Sequence, residues 1–221
     1  MIFGLLLPCF GEGLTFVDRL KEVQLKPEER KLTVDFDFEN KTDKPVVISK
    51  YDATCSCMKV QVKGGKLIYE PGEKGVIRGV FDMGNFSGTV DKAIMVWLKG
   101  DGNVEPSIAL TVRVHIPVLV EVEPKTLRWD VGEKAVSRVI EITMNHTEPI
   151  TVKSATCSNY NFQIELTTVE EGKKYQLKVT PKSTETQGIG VVNIATDCTV
   201  ARQATQRAFT VIRRATAQPV K

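Results

Sequence analysis

The chain has 221 residues, of which 42% are hydrophobic and 26% charged, with a formal net charge of +3. That length suits one large domain or two of about 100 residues, and the near balance of charge argues against nucleic acid as a partner. The positive excess is local: Arg202, Arg207, Arg213, Arg214 and Lys221 fall in the final stretch, which reads as a solvated tail.

Met1 to Gly11 is an uncharged apolar run. It is too short to span a bilayer, which takes about 20 residues, so no membrane span is expected. Its length matches the apolar stretch of a secretory signal, and Cys9 and Gly11 supply the small residues that precede cleavage. Residues 1–11 are therefore expected to be a signal-peptide remnant, with a mature chain beginning near Glu12. A lipoprotein reading would acylate Cys9, but Pro8 is a poor neighbour for that cut, and a buried N-terminal segment is the other alternative. Loss of Cys9 leaves Cys55, Cys57, Cys157 and Cys198, an even set of the kind exported proteins carry. The expected location is extracytoplasmic: periplasm, cell surface or secreted.

From there the apolar residues recur at spacing two, the period of a half-buried strand. Leu32, Val34, Phe36 and Phe38 alternate with Thr33, Asp35 and Asp37. Met58, Val60 and Val62 repeat the pattern, as do Ile108, Leu110, Val112, Val114 and Ile116. Ala93 to Leu98 is almost wholly apolar and predicts a strand covered on both faces. Turn residues punctuate these runs at Asn40 to Pro45, Gly64–Gly65, Pro71–Gly72, Gly84 to Gly88 and Gly100 to Asn103. Short strands with regular turns predict a β-sandwich.

The order then repeats. Ile140, Ile142 and Met144 precede a turn ending at Pro149, then Ile150 and Val152, then Ala155-Thr156-Cys157-Ser158. The first half has Phe36 and Phe38, a turn ending at Pro45, Val46 and Ile48, then Ala53-Thr54-Cys55-Ser56. Aligned on the shared Ala-Thr-Cys-Ser, Met58, Val60 and Val62 face Tyr160, Phe162 and Ile164, Asn159 replaces Cys57, and the first copy is longer by two residues after its proline. A tandem duplication follows, with domain one over residues 12–117, domain two over 118–217 and a tail at 218–221. Val118 to Val122 is either a stiff linker or the first strand of domain two.

Phe36, Phe38, Asn40, Pro45-Val46-Val47-Ile48, Cys55-Ser56-Cys57, Ile68, Pro71-Gly72-Glu73, Phe81-Asp82, Gly88 and Lys92 together resemble the bacterial immunoglobulin-like family catalogued as domain of unknown function 1573. The likeness covers Leu32 to Val114, with Ser56 where the family usually has glycine and Met58 where it has threonine. The resemblance implies an exported module related in shape to the major-sperm-protein type. The fold expected is all-β, two tandem immunoglobulin-like (major-sperm-protein-like) β-sandwich domains.

Candidate chemistry is sparse. His115 falls on the outward side of its strand with Thr111 and Arg113, and His146 falls in a turn. Asp35 and Asp37 share a solvent face and read as surface charge. Without a nucleophile and base, a metal motif or a phosphate loop, the chain is expected to be no enzyme and to need no cofactor. Asn40, Asn85 and Asn145 head Asn-x-Ser/Thr triplets in predicted turns. Trp97 and Trp129 are expected to be core or interdomain packing residues, the core being the simpler reading.

Cys55 and Cys57 are the one local cluster. As thiolates, with the Met58 thioether nearby, they suggest a soft metal site for Cu(I) or a reducible disulfide; as a structural pair they pin an edge of the first sandwich. Either way they should sit in a turn, since residues one apart within a strand have little freedom to meet. Cys157 and Cys198 lie at predicted strand ends and are candidates to bridge one rim, although four cysteines permit three pairings. The expected function is that of an exported, non-catalytic binding or scaffold protein of the cell envelope, whose partner is another envelope protein or a glycan. The alternatives are a periplasmic chaperone-like protein, with Ile108 to Ile116 as the strand offered to a subunit, and a thiol- or copper-handling protein built on Cys55 and Cys57.

Overall fold

In a computed structural model, residues 13–100 and 105–214 are described. The expected signal remnant at 1–11, Cys9 included, and the tail at 218–221 lie outside them. The chain divides into two compact units, up to Pro117 and from Val118 onward.

The first unit holds β1 (Leu14–Phe16), β2 (Leu20–Gln24), β3 (Lys31–Asn40), β4 (Val46–Ala53), β5 (Met58–Val62), β6 (Ile68–Tyr69), β7 (Lys74–Asp82), β8 (Gly88–Leu98) and β9 (Ile108–Ile116). They form two sheets, ordered β1-β3-β7-β5 and β2-β9-β8-β4-β6. Alternation explains the layering: Val34, Phe36 and Phe38 of β3 turn inward, as do Ile94, Val96 and Leu98 of β8 and Ile108 through Ile116 at every second residue of β9. The N-terminal segment changes sheets, with β1 antiparallel to β3 and β2 parallel to β9. Ala93 to Leu98 is covered on one face only. Met95 and Trp97 point outward and are half-buried, because no second layer lies over that side of β8 within the unit.

The second unit holds β10 (Val120–Glu123), β11 (Thr126–Asp130), β12 (Arg138–Met144), β13 (Val152–Cys157), β14 (Phe162–Glu170), β15 (Lys174–Pro181), β16 (Gly188–Thr196) and β17 (Thr205–Arg213). Its sheets are ordered β10-β12-β15-β14 and β11-β17-β16-β13. Val118 to Val122 leads into a strand, β10, rather than forming a linker, and the change of sheet passes through a cis Glu123–Pro124 bond. The core is built on Trp129, Ile140, Ile142, Tyr175, Leu177, Val179, Val192 and Ile194.

The two units repeat one plan but not in the register that the shared Ala-Thr-Cys-Ser suggests. Met58 N–H donates to Cys55 O at 3.3 Å and Asp82 N–H to Cys57 O at 2.9 Å; in the second unit Phe162 donates to Asn159 O at 3.1 Å and Lys182 to Asn161 O at 2.7 Å. Thr54 N–H donates to Ala93 O, and Ser158 N–H to Val191 O. These bonds place Met58 against Phe162 and Thr54 against Ser158, an offset of 104 residues that also sets Pro45 against Pro149, so nothing is inserted between the proline and this turn. The tetrapeptide is a two-residue coincidence. Buried position decides the true match: Met58 and Phe162 are both in the core, whereas Tyr160 sits in the turn and is 90% exposed. Gly72 and Gly172 close equivalent turns with φ of 78° and 71°, where a side chain would be strained.

Candidate functional site

Cys55, Ser56 and Cys57 occupy the turn between β4 and β5, and the two sulfurs are 1.93 Å apart with Cα atoms 5.2 Å apart, a disulfide across the turn. The pair is therefore outside the strand that begins at Met58, as the spacing requires. Met58 points away into the sandwich at 5% exposure, its sulfur packed toward Gly79 between the sheets. The three-ligand soft-metal arrangement of Cys55, Cys57 and Met58 is thus not assembled, because alternation sends Met58 to the opposite face from Cys57. Among the described residues no group of three or more His, Cys, Asp or Glu side chains lies close enough to share a metal ion. Cys57 faces an open groove of about 430 Å³ whose wall includes Ser56, Lys31, Lys59, Gln61 and Asp82; Cys55 is not part of that wall.

At the matching turn of the second unit stand Asn159 and Asn161. Asn159 Oδ1 accepts the Asn161 N–H at 2.9 Å, and Asn159 Nδ2 donates to Ile189 O at 3.1 Å. A side-chain hydrogen bond does there what the sulfur bridge does in the first unit. Sequence alignment on Ala-Thr-Cys-Ser misplaces both asparagines, setting Asn159 against Cys57 when it stands against Cys55.

Cys157 and Cys198 do not pair; both are free, the first half-buried and the second buried. Antiparallel register explains the correction. Cys157 lies opposite Val192 at one end of β13, while Val152 lies opposite Thr196 at the other, beside Cys198. The intervening strand is roughly 17 Å long at its usual rise, far beyond disulfide reach.

The remaining candidates resolve into surface chemistry. His115 Nδ1 is 2.9 Å from Thr89 Oγ1 and its Nε2 2.5 Å from Glu22 Oε1. His146 Nδ1 accepts the Glu148 N–H at 3.2 Å within its turn. Asp35 accepts two bonds from Arg78, each 2.7 Å, and that guanidinium holds its carboxyl below the usual carboxylate range, so it is no partner for Asp37 in acid and base work. Trp129 is a core residue at 1% exposure, but Trp97 lies on the outer face of β8, with the Lys50 Nζ 4.5 Å from its ring centroid. Asn40 is wholly buried and its amide nitrogen donates to Lys44 O and Tyr69 O, so it is no glycan acceptor in the folded chain; Asn85 and Asn145 are exposed.

A surface that sequence reading missed lies on the second unit. In β16 and β17 Gly190, Val192, Ile194, Ala208, Thr210 and Ile212 face inward, while Ile189, Val191, Phe209 and Val211 face outward. Ile189 lies opposite Val211 and Val191 opposite Phe209, a two-by-two apolar block. Ile189 is 67% and Phe209 41% exposed, and Tyr160 stands next to Asn159, whose amide binds Ile189 O. Arg128 lies beside Val211 across β11, and Arg207 is two residues before Phe209. The signal was present as Gly-Ile-Gly-Val and Ala-Phe-Thr-Val, alternations in which the large residues hold the outward phase. Gly190 has no room for a side chain: a Cβ there would come within 2.5 Å of Thr210 Oγ1 and 2.8 Å of Cys157 Sγ.

These features define a class: an all-β chain of two tandem immunoglobulin-like sandwiches, the first with a bridged Cys-x-Cys turn. Residues 14–114 match the sequence model of the family described as "Protein of unknown function (DUF1573)". No curated protein matches the chain. Solved structures similar to it include a protein of unknown function from Porphyromonas gingivalis W83, at 12% identity over 90% of this chain and 99% of that one, TM-score 0.35. The E. coli chaperone DraB is 13% identical over 90% of this chain and 96% of its own, TM-score 0.34. The VesB protease of Vibrio cholerae is 12% identical over 47% of this chain, which spans only 32% of that protease, TM-score 0.37. Among the described residues no helix is long and apolar enough to cross a membrane.

Proposed function

We propose that this chain is a non-catalytic binding or scaffold protein that acts outside the cytoplasm, where the outer face of the β11-β17-β16-β13 sheet holds an acidic surface of another envelope protein. The outward apolar block of β16 and β17 carries this reading. Ile189 and Phe209 stay exposed although Val192, Ile194 and Ile212 of the same strands fill the core, and contiguous exposed apolar surface marks interaction sites. Tyr, Phe and Arg are the residues enriched at protein interfaces. Arg128 and Arg207 have no ion-pair partner among the described residues, which favours acidic groups on the partner. Aliphatic Ile189, Val191 and Val211 offer nothing to hydroxyls, which favours a protein over a glycan. A cysteine bridge at Cys55 and Cys57 fits an oxidising compartment.

The chaperone alternative loses its strand. β9, Ile108–Ile116, pairs with β8 on one side and from Thr111 to His115 with β2 on the other, so most of its second edge is taken unless β2 leaves.

The test is cross-linking in the native envelope with the wild type and with Ile189→Asp combined with Phe209→Asp. Both positions face solvent, so the variant should keep its Tm while binding the cross-linked protein about tenfold or more weakly, with wild-type binding weakened by salt. Equal binding by the variant overturns the assignment, as does recovery of a glycan in place of a protein.

A further inference from the structure

The two domains provide a comparison of one turn with and without sulfur. In both, the strand that follows is started by the same backbone bond, Met58 N–H to Cys55 O and Phe162 N–H to Asn159 O, and tied to the neighbouring strand by the same second bond. The second domain closes this turn with Asn159 and Asn161. A covalent bridge is therefore not what the turn requires. The bridge is also partly accessible, since Cys55 and Cys57 are both half-buried, whereas Cys198 is 7% exposed. Its surroundings are asymmetric: Cys57 opens on the groove that contains Lys31 and Lys59 against one acid, Asp82, and neither lysine has an ion-pair partner among the described residues. The groove, about 430 Å³, has the volume of a small-ligand site.

We propose that Cys55–Cys57 is a thiol–disulfide exchange site for a small anionic thiol of about tripeptide size, and that Cys57 is the sulfur attacked. The thiolate enters along the groove with its carboxylates toward Lys31 and Lys59 and attacks Cys57 Sγ. The Cys55–Cys57 bond breaks, a mixed disulfide forms on Cys57, and Cys55 leaves as a thiolate that takes a proton from solvent. A second molecule of the thiol attacks the mixed disulfide. It releases Cys57 as a thiolate and forms the disulfide of the small thiol, so that two electrons have passed to the protein pair. The lysines favour both the approach of the anion and the thiolate form of Cys57. This goes beyond the docking surface of the second domain and is independent of it.

The test uses the full chain with glutathione as the probe. In wild type treated with reduced glutathione and quenched in acid, the mixed disulfide should map to Cys57 and not to Cys55. Reduction should proceed in the folded state, with Cys198 unlabelled by an alkylating agent and Tm lowered by a few degrees only. In single-thiol variants, Cys55→Ser should take up glutathione from its disulfide several-fold faster than Cys57→Ser. It should also prefer that anionic disulfide to cationic cystamine, a preference that Lys31→Gln with Lys59→Gln removes. Adducts on Cys55, equal rates in the two variants, no charge preference, or a pair reduced only when the chain unfolds would each overturn the proposal. The docking variant Ile189→Asp with Phe209→Asp should exchange at the wild-type rate, so failure of one reading is separate from failure of the other.

Discussion

Asn40 is the residue whose sequence context misleads most. Asn-Lys-Thr in a predicted turn suggests an exposed acceptor, yet Asn40 ends β3 at 0% exposure. Its amide nitrogen donates to Lys44 O at 2.8 Å and Tyr69 O at 2.7 Å, and its Oδ1 accepts from Thr42 N at 3.0 Å and Thr42 Oγ1 at 2.7 Å. One side chain thus joins the turn after β3 to the end of β6 and leaves no polar group unpaired. Met144 stands at the equivalent place, 104 residues on, so the backbone there needs no such clamp. Asn40→Ala should strand the buried Tyr69 carbonyl and cost about 2 to 3 kcal/mol in chemical denaturation. A loss below about 0.5 kcal/mol would mean that water replaces the amide. Which asparagine is buried was not legible locally, because its partners at Tyr69 and Glu73 arrive from a distant turn.

At the scale of elements, alternation located β3, β5 and β9 and the inward phase of each, since a strand with one buried face fixes its own register. It failed where large residues take both phases, in β16 and β17, and where one wall of a strand is open, in β8. β7 shows how packing constrains sequence in return. Gly75 lies opposite Phe38 in the β3–β7 ladder, and a Cβ on it would come within 2.4 Å of Phe38 and 2.5 Å of Tyr69, whose rings meet edge to face at 4.8 Å. Gly75 is there to admit that aromatic pair. Gly75→Ala should displace both rings and destabilise the first domain by about 1 to 3 kcal/mol, read as a lower Tm with unchanged unfolding cooperativity. An unchanged Tm would show that the rings move aside freely.

At the scale of the whole molecule, each unit has its own pair of sheets and its own core, and the family match ends at Val114 inside the first. Residues 13–117 expressed alone should therefore give a β-type far-UV spectrum and one cooperative thermal transition. Residues 118–214 should do the same. A fragment that melts without cooperativity would mean that the two cores depend on one another.

Sequence alone determined the all-β class, the duplication, the placing of Cys55 and Cys57 in a turn, and the family resemblance of the first domain. The first three rest on period-two alternation or on spacing, which local chain geometry enforces; the family rests on the residues of 14–114 that resemble it. The tertiary structure alone decided the true register of the repeat, the separation of Cys157 from Cys198, and the outward apolar block of Ile189, Val191, Phe209 and Val211. Those depend on which strands lie side by side. Four shared letters weigh less than the burial of Met58 and Phe162, because a strand slipped by two residues would set exposed Tyr160 at the place of a core residue.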